Sequence, residues 1–229
     1  MDTSYSYQDS LHLLNDSEWS KLSVQNRAAV MQSIENEAAR REGRTPCNVS
    51  LFSEAPKNGS ISAGRYNPAN NGIELNTYHL SGNTAPCLNT VMHEGRHSYQ
   101  DKAVKGEIYH HNQGELKAWR DNMKQGNYID PEKNRRAYYR QPIEADAREY
   151  ADITSRQIQA EQKIQNSNKG IASFRAKASN SQSAAPSENK GIQSYKNRIA
   201  GTEKNNVSNI QGTSNSKNNS QSSGSSQRR

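Results

Sequence analysis

Between Asn15 and Gly43, apolar side chains recur at helical spacing, at Trp19, Leu22, Val24, Ala28, Val30, Met31, Ile34 and Ala38. This pattern predicts one long amphipathic helix, capped by Asn15 or Asp16 and ended near Gly43, with Pro46 just beyond. Three short strand-like runs follow, Val49–Phe52, Ile61–Tyr66 and Ile73–Leu80. The turn-rich stretch Asn67-Pro68-Ala69-Asn70-Asn71-Gly72 joins the last two, so a small sheet with at least one hairpin is expected. A second long helix should start at Thr84 as N-cap, with Pro86 in the first turn where its missing N–H costs nothing, and run through Lys105 to Gly106. Beyond a loop holding His110 and His111, a polar helix is expected from Glu115 to Lys124, stopped by Gly126. Asp130-Pro131 opens another segment, and Pro142 starts a last helix reaching to about Gln165. The element order predicts an α+β domain on a small mixed sheet, without a solenoid-length repeat.

Composition changes this picture at residue 166. From Ser167 onward Ser, Asn, Gln, Lys and Gly dominate and Phe174 and Tyr195 are the only aromatics, so this stretch buries too little apolar area to offset its ordering entropy. The expectation is a domain over 1–166 and a disordered basic tail over 167–229. Charge divides the same way. Residues 1–166 hold 20 Lys/Arg against 21 Asp/Glu, while 167–229 hold 10 against 2, so the overall +7 belongs to the tail. That tail could engage nucleic acid, or serve as a solvated export or delivery segment. No apolar run is long enough to span a bilayer, and Met1–Leu14 has neither a basic n-region nor an apolar h-region, so no membrane span or Sec-type signal is expected and the chain is read as cytoplasmic as synthesised, with delivery out of the cell left open. Cys47 and Cys87 are too few for a disulfide scaffold and wrongly spaced for a zinc knuckle; they read as ordinary small residues.

The chemistry lies on the second long helix. His93-Glu94-Gly95-Arg96-His97 is an H-E-x-x-H sequence, whose histidines, four residues apart, lie about 40° apart around a helix and about 6 Å along it. Both imidazoles can therefore reach one metal ion, and neutral imidazole nitrogen suits Zn²⁺ at about 2.0–2.1 Å. Glu94 projects beside a metal-site water rather than onto the ion, the place of a general base. On a helical wheel Leu88, Met92, Gly95 and Tyr99 form a packing stripe, with His93, His97 and Gln100 on roughly the opposite side. A third ligand must come from elsewhere. Glu144 is the first choice, because it shares a helical face with Ala147 and Ala151, whose small side chains permit close approach, while Asp146 points away. His110 and His111 compete. A metzincin-type third histidine would fall at Ala103 and is excluded.

The segment Leu88–Gln100, with Gln-Pro-Ile-Glu-Ala-Asp-Ala placing Glu144 47 residues after His97, resembles zincin metallopeptidases of gluzincin type. More narrowly, it is similar to the small bacterial zincin domains of polymorphic toxins and mobile-element proteins. The likeness covers about residues 45–155, is weak over the N-terminal helix and is absent from the tail. It implies a zincin-like fold with a C-terminal ligand helix, Zn²⁺ held by His93, His97 and Glu144, Glu94 as general base, and Ile73–Leu80 as the edge strand that aligns a peptide. It also implies a toxin or effector setting with an immunity protein as partner. Gluzincins commonly carry an acid four residues after the ligand Glu; here that residue is Arg148, which leaves the residues orienting the histidines unassigned, with Asp146, Glu149 and Asp101 as candidates. For the oxyanion, Tyr138, Tyr139, Arg140 and His110 flank the ligand segments, and Tyr139 is chosen.

The expected activity is zinc-dependent hydrolysis of a protein or peptide substrate, by an endopeptidase rather than an exopeptidase. Two other classes compete. A non-proteolytic zinc-binding module would hold the ion without Glu94-dependent cleavage, and a nucleic-acid protein acting through its tail would lose affinity steeply with salt.

Overall fold

A computed structural model describes residues 4–57 and 61–182, with mixed α/β architecture. The account below concerns the compact unit Met1–Ala176. Two short helices and one long one precede the sheet: α1 Tyr7–Leu13, α2 Asp16–Trp19 and α3 Val24–Glu42. The single helix expected from Asn15 to Gly43 is broken at Ser23, which is extended (φ −64°, ψ 159°) and whose side chain accepts from the Asn26 N–H. Capping there satisfies one of the free N–H groups of α3, and the break lets the Trp19 indole turn inward and donate to the Gly82 carbonyl at 2.9 Å. Gly43 ends α3 at φ 69°, a left-handed conformation that a Cβ disfavours.

Strands β1 Asn48–Phe52, β2 Gly64–Asn67 and β3 Gly72–Asn76 form a mixed sheet in the order β1-β3-β2. β1 runs parallel to β3, with Val49 opposite Ile73; β2 runs antiparallel to it, with Tyr66 opposite Ile73. The expected hairpin is present between β2 and β3. The strand expected over Ile73–Leu80 is corrected in two ways. It ends at Asn76, whose side chain caps the helical turn α4 Thr77–Leu80 by accepting from the Tyr78 N–H, and whose amide donates to the Glu54 and Ser62 carbonyls. It is also the central strand, flanked on both sides, so it cannot offer an edge to a peptide. The edges belong to β1 and β2.

Helix α5 Thr84–Lys105 packs on this sheet and on α3, and ends at Gly106 with φ 80°. Val30, Met31 and Ile34 from α3, Ile73 and Leu75 from β3, and Leu88, Val91 and Met92 from α5 are essentially solvent-free and form the core; each contributes about 1.5–3 kcal/mol by leaving water. Helices α6 Gln113–Asn122 and α7 Arg135–Arg140 follow, then α8 Pro142–Gln182. Pro142 starts α8 as expected, but the helix does not stop near Gln165. Ala, Lys, Gln and Arg are good helix formers, so a stretch too polar for a core can still hold a helix. The proposed boundary at 166 therefore falls inside α8, and the part of the basic tail after residue 182 lies outside the described residues. Among the described residues no helix is long and apolar enough to cross a membrane.

Candidate metal centre

Helix α5 lies against a buried ion pair, and this fixes the identity of Gly95. Arg44 bridges Glu35 (Nη1–Oε1 2.6 Å) and Glu42 (Nε–Oε2 2.7 Å), with the Arg44 and Glu35 side chains wholly buried. A Cβ on Gly95 would meet Glu35 Oε2 at 2.7 Å and Arg44 Nη2 at 2.8 Å. Glycine lets the helix seat on these charges while its opposite face carries the histidines. Gly64 does the same for β2, where a Cβ would meet Thr90 Cγ2 at 2.8 Å.

From across the domain α8 brings Glu144, with Ala147 and Ala151 fully buried beside it. His93 Nε2 lies 3.1 Å from His97 Nε2 and 3.2 Å from Glu144 Oε2, and His97 Nε2 lies 3.5 Å from Glu144 Oε1. The imidazoles stand edge to face, centroids 4.7 Å apart. Ligands held tetrahedrally at about 2.0–2.1 Å from one ion stand about 3.3–3.4 Å from each other. The two histidines face different oxygens of Glu144, and with one atom from each residue the three ligand atoms lie within 4.8 Å of one another, close enough to share one ion. Glu144 Oε2, buried and near His93, is aligned for no hydrogen bond, so the cluster holds an acceptor that its protein neighbours leave unsatisfied. The donor set and the orphaned oxygen fit a divalent cation. Burial pushes the Glu144 carboxyl up, but contact with His93, the charges of both histidines and the Tyr138 hydroxyl outweigh it and hold the group down at about 2. Conversely, burial pushes His93 down, and contact with Glu144 and the charge of Glu94 outweigh it to leave the imidazole above its ordinary value.

The orientation of His97 is set by a residue placed with the cleft face in the sequence. Gln100 is instead fully buried. Its amide nitrogen donates to the Ile143 carbonyl at 2.8 Å and to Asp146 Oδ2 at 2.7 Å, two groups that can only accept. Its Oε1 must therefore face His97 Nδ1, 2.8 Å away, and Nδ1 must carry the hydrogen. In the neutral ring that binds a metal, His97 Nε2 then aims its lone pair into the cluster. Asp146 is in turn gripped by Arg96 (Nε–Oδ2 2.8 Å), whose Nη1 reaches Glu42 at 3.0 Å. Of the three acids considered for this role, Asp146 thus acts on His97 through Gln100. Asp101 instead pairs with Lys105 and accepts from Tyr66, and Glu149 is exposed.

Glu94 faces the sheet edge. Its Oε2 accepts the Tyr66 N–H at 2.8 Å. The Asn76 N–H bonds the Ala63 carbonyl, so bonded pairs in the β2/β3 ladder fall on odd residues of β2, and the N–H and carbonyl groups of Gly64 and Tyr66 face the open side. The edge beside Glu94 is therefore β2.

His110 and His111 do not join the cluster. His110 is buried between the Tyr99 hydroxyl and Glu115, each at 3.1 Å, against Trp119. Among the described residues His93, His97 and Glu144 are the group of His, Cys, Asp or Glu side chains close enough to share an ion. Nor does Tyr139 reach it by any hydrogen bond. Its ring is 58% exposed, with the Arg148 guanidinium stacked 3.5 Å from its centre. Instead the Tyr128 hydroxyl donates to Glu144 Oε1 at 3.0 Å, and the Tyr138 ring packs with its centroid 6.2 Å from that of Tyr128. Tyr128 carried no signal in the local sequence; it arrives through the turn at Gly126 (φ 85°). Cys47 and Cys87 are free and buried. Compared with protein-family models, curated proteins and solved structures, the chain matches none.

Proposed function

We propose that the chain is a zinc-dependent endopeptidase with a zincin-like fold, His93, His97 and Glu144 holding the ion. The observation that supports this most is the convergence of His93, His97 and Glu144, each offering one ligand atom and all three within 4.8 Å of one another, on one point beside Glu94. When bound, the ion would polarise a substrate carbonyl and bring the pKa of a water toward about 7. Glu94, near enough for its charge to act on His93, keeps one oxygen on the Tyr66 N–H and has the other without a partner among the described residues, available to take a proton and hand it to the leaving amine. The outward groups of Gly64 can pair with an extended substrate as an added strand, and an open edge suits an internal stretch of chain. The Tyr128 and Tyr138 hydroxyls are the donors best placed to turn toward a developing oxyanion.

The test is Glu94→Gln in the full-length chain. About one equivalent of Zn²⁺ should remain bound while cleavage in a proteome-wide assay is lost. Full cleavage by the variant, or a parent chain that stays metal-free with equimolar Zn²⁺, refutes the reading.

A further inference from the structure

Every charged residue from Lys133 to Arg140 is basic: Lys133, Arg135, Arg136 and Arg140 stand together without an Asp or Glu between them. All four are exposed, and none forms an ion pair among the described residues. By contrast Arg40, Arg41, Arg44, Arg65 and Arg96 each hold a carboxylate. Arg148 links this row to the metal-ligand cluster. It lies one turn after Glu144 on α8, stacks on Tyr139, donates through Nη2 to the Tyr139 carbonyl, and leaves Nη1 buried with no acceptor. A buried guanidinium N–H without an acceptor costs more than an ordinary lost hydrogen bond, so a group that supplies an acceptor here is favoured. Arg135, Arg136, Tyr139 and Arg140 line a surface cavity of about 480 Å³, and Arg148 stacks on its Tyr139. Tyr138, on the same short helix, stands edge to face with Tyr128, whose hydroxyl donates to Glu144, so the basic row borders the cluster.

We propose that Arg148, together with Arg136 and Arg140, is a subsite for an anionic side chain of the substrate, an Asp or Glu of a peptide laid across the cluster. With Nη2 held by the Tyr139 carbonyl, Arg148 can give a carboxylate one charge-assisted hydrogen bond from Nη1, and the exposed guanidiniums of Arg136 and Arg140 can add others. One buried, directional donor suits a single carboxylate, whereas a nucleic-acid backbone is held by a long row of exposed charges. That the ligand is a peptide rests on the peptidase reading; that an anion binds here does not.

The experiment uses the full-length Glu94→Gln chain with Zn²⁺, so that bound peptide is not cut and the tail contributes equally throughout. Fluorescein-labelled decapeptides of Ala and Ser carrying two Glu, or two Gln at the same places, are titrated by anisotropy at about 0.15 M salt. The Glu peptide should bind about tenfold more tightly, the scale of one charge-assisted hydrogen bond. Adding Arg148→Gln should abolish the preference, and Arg148→Lys should restore part of it. The surface pair Arg136→Gln/Arg140→Gln, which leaves the fold's interior untouched, should reduce it severalfold. Equal binding of the two peptides, a preference that survives both sets of substitutions, or a ten-residue oligouridine that displaces the Glu peptide and depends on the same arginines would each overturn the subsite. Cleavage of a mixed peptide pool by the parent chain separates the two ideas. Charge preference without cleavage sinks the peptidase reading alone, and cleavage without charge preference sinks the subsite alone.

Discussion

Replacing Gln100 by Met keeps the volume of a fully buried side chain while deleting its one acceptor and both donors. His97 Nδ1–H then loses the oxygen now 2.8 Å away, and the Ile143 carbonyl loses the donor at 2.8 Å; Asp146 keeps Arg96. The Ile143 carbonyl keeps its bond within α8, so one neutral donor is left buried without a partner, and the metal-free protein should lose about 1–3 kcal/mol, a large share of a typical folding stability. The larger consequence concerns His97. Without Gln100 its ring can take either tautomer and rotate, and loss of a partner that orients a ligand typically weakens metal binding 10–100-fold, about 1.4–2.7 kcal/mol. Zn²⁺ affinity by competition with a chromophoric chelator, beside a urea melt of the metal-free protein, separates the two effects. A variant that unfolds more easily yet binds Zn²⁺ within twofold of the parent would show that Gln100 supports only the packing of α8, and that the assignment of the His97 tautomer is wrong.

Two further outcomes follow from the packing. Gly95→Ala would drive a methyl to within 2.7 Å of Glu35 Oε2 and 2.8 Å of Arg44 Nη2, so α5 must lift or the ion pair must move; a loss of about 1–3 kcal/mol is expected in denaturant unfolding, and an unchanged midpoint would show that α5 is not seated as described. The Glu37 carboxyl is held down at about 2 by hydrogen bonds from Arg40 first and Arg41 second, with burial opposing them. A depressed folded-state pKa contributes stability above the ordinary value of 4.5 that is lost as pH falls through 2, so Glu37→Gln should flatten the parent's decline in melting temperature between those limits and change little at pH 7 in its slope; parallel acid limbs would contradict the assignment.

Much of the candidate site was legible because its logic is local. Four-residue spacing puts two histidines on one helix face whatever surrounds them, Gly43 and Gly106 mark helix ends because left-handed backbone excludes most side chains, and Pro142 can open a helix but not continue one. These follow from bond geometry over a few residues, and α5, its motif and the start of α8 were readable for that reason. Glu144 was readable only as one candidate among several, since helical periodicity says which face it occupies but not which helix lies opposite.

Packing between segments far apart along the chain decided the rest. Alternating apolar residues fix that β3 is a strand but not that it lies in the middle, because pairing order depends on how α3 and α5 cover the sheet; so the edge beside Glu94 is β2. Gln100 looked like a cleft residue on the wheel, and became the bridge to His97 once α8 brought Ile143 and Asp146 against it. Tyr128 replaced Tyr139 at Glu144 through a turn fifteen or more residues from the carboxylate it touches. Hydrogen bonds are short-ranged and directional, so a periodic pattern can name the side chains that carry chemistry, while only the folded chain determines which of them meet.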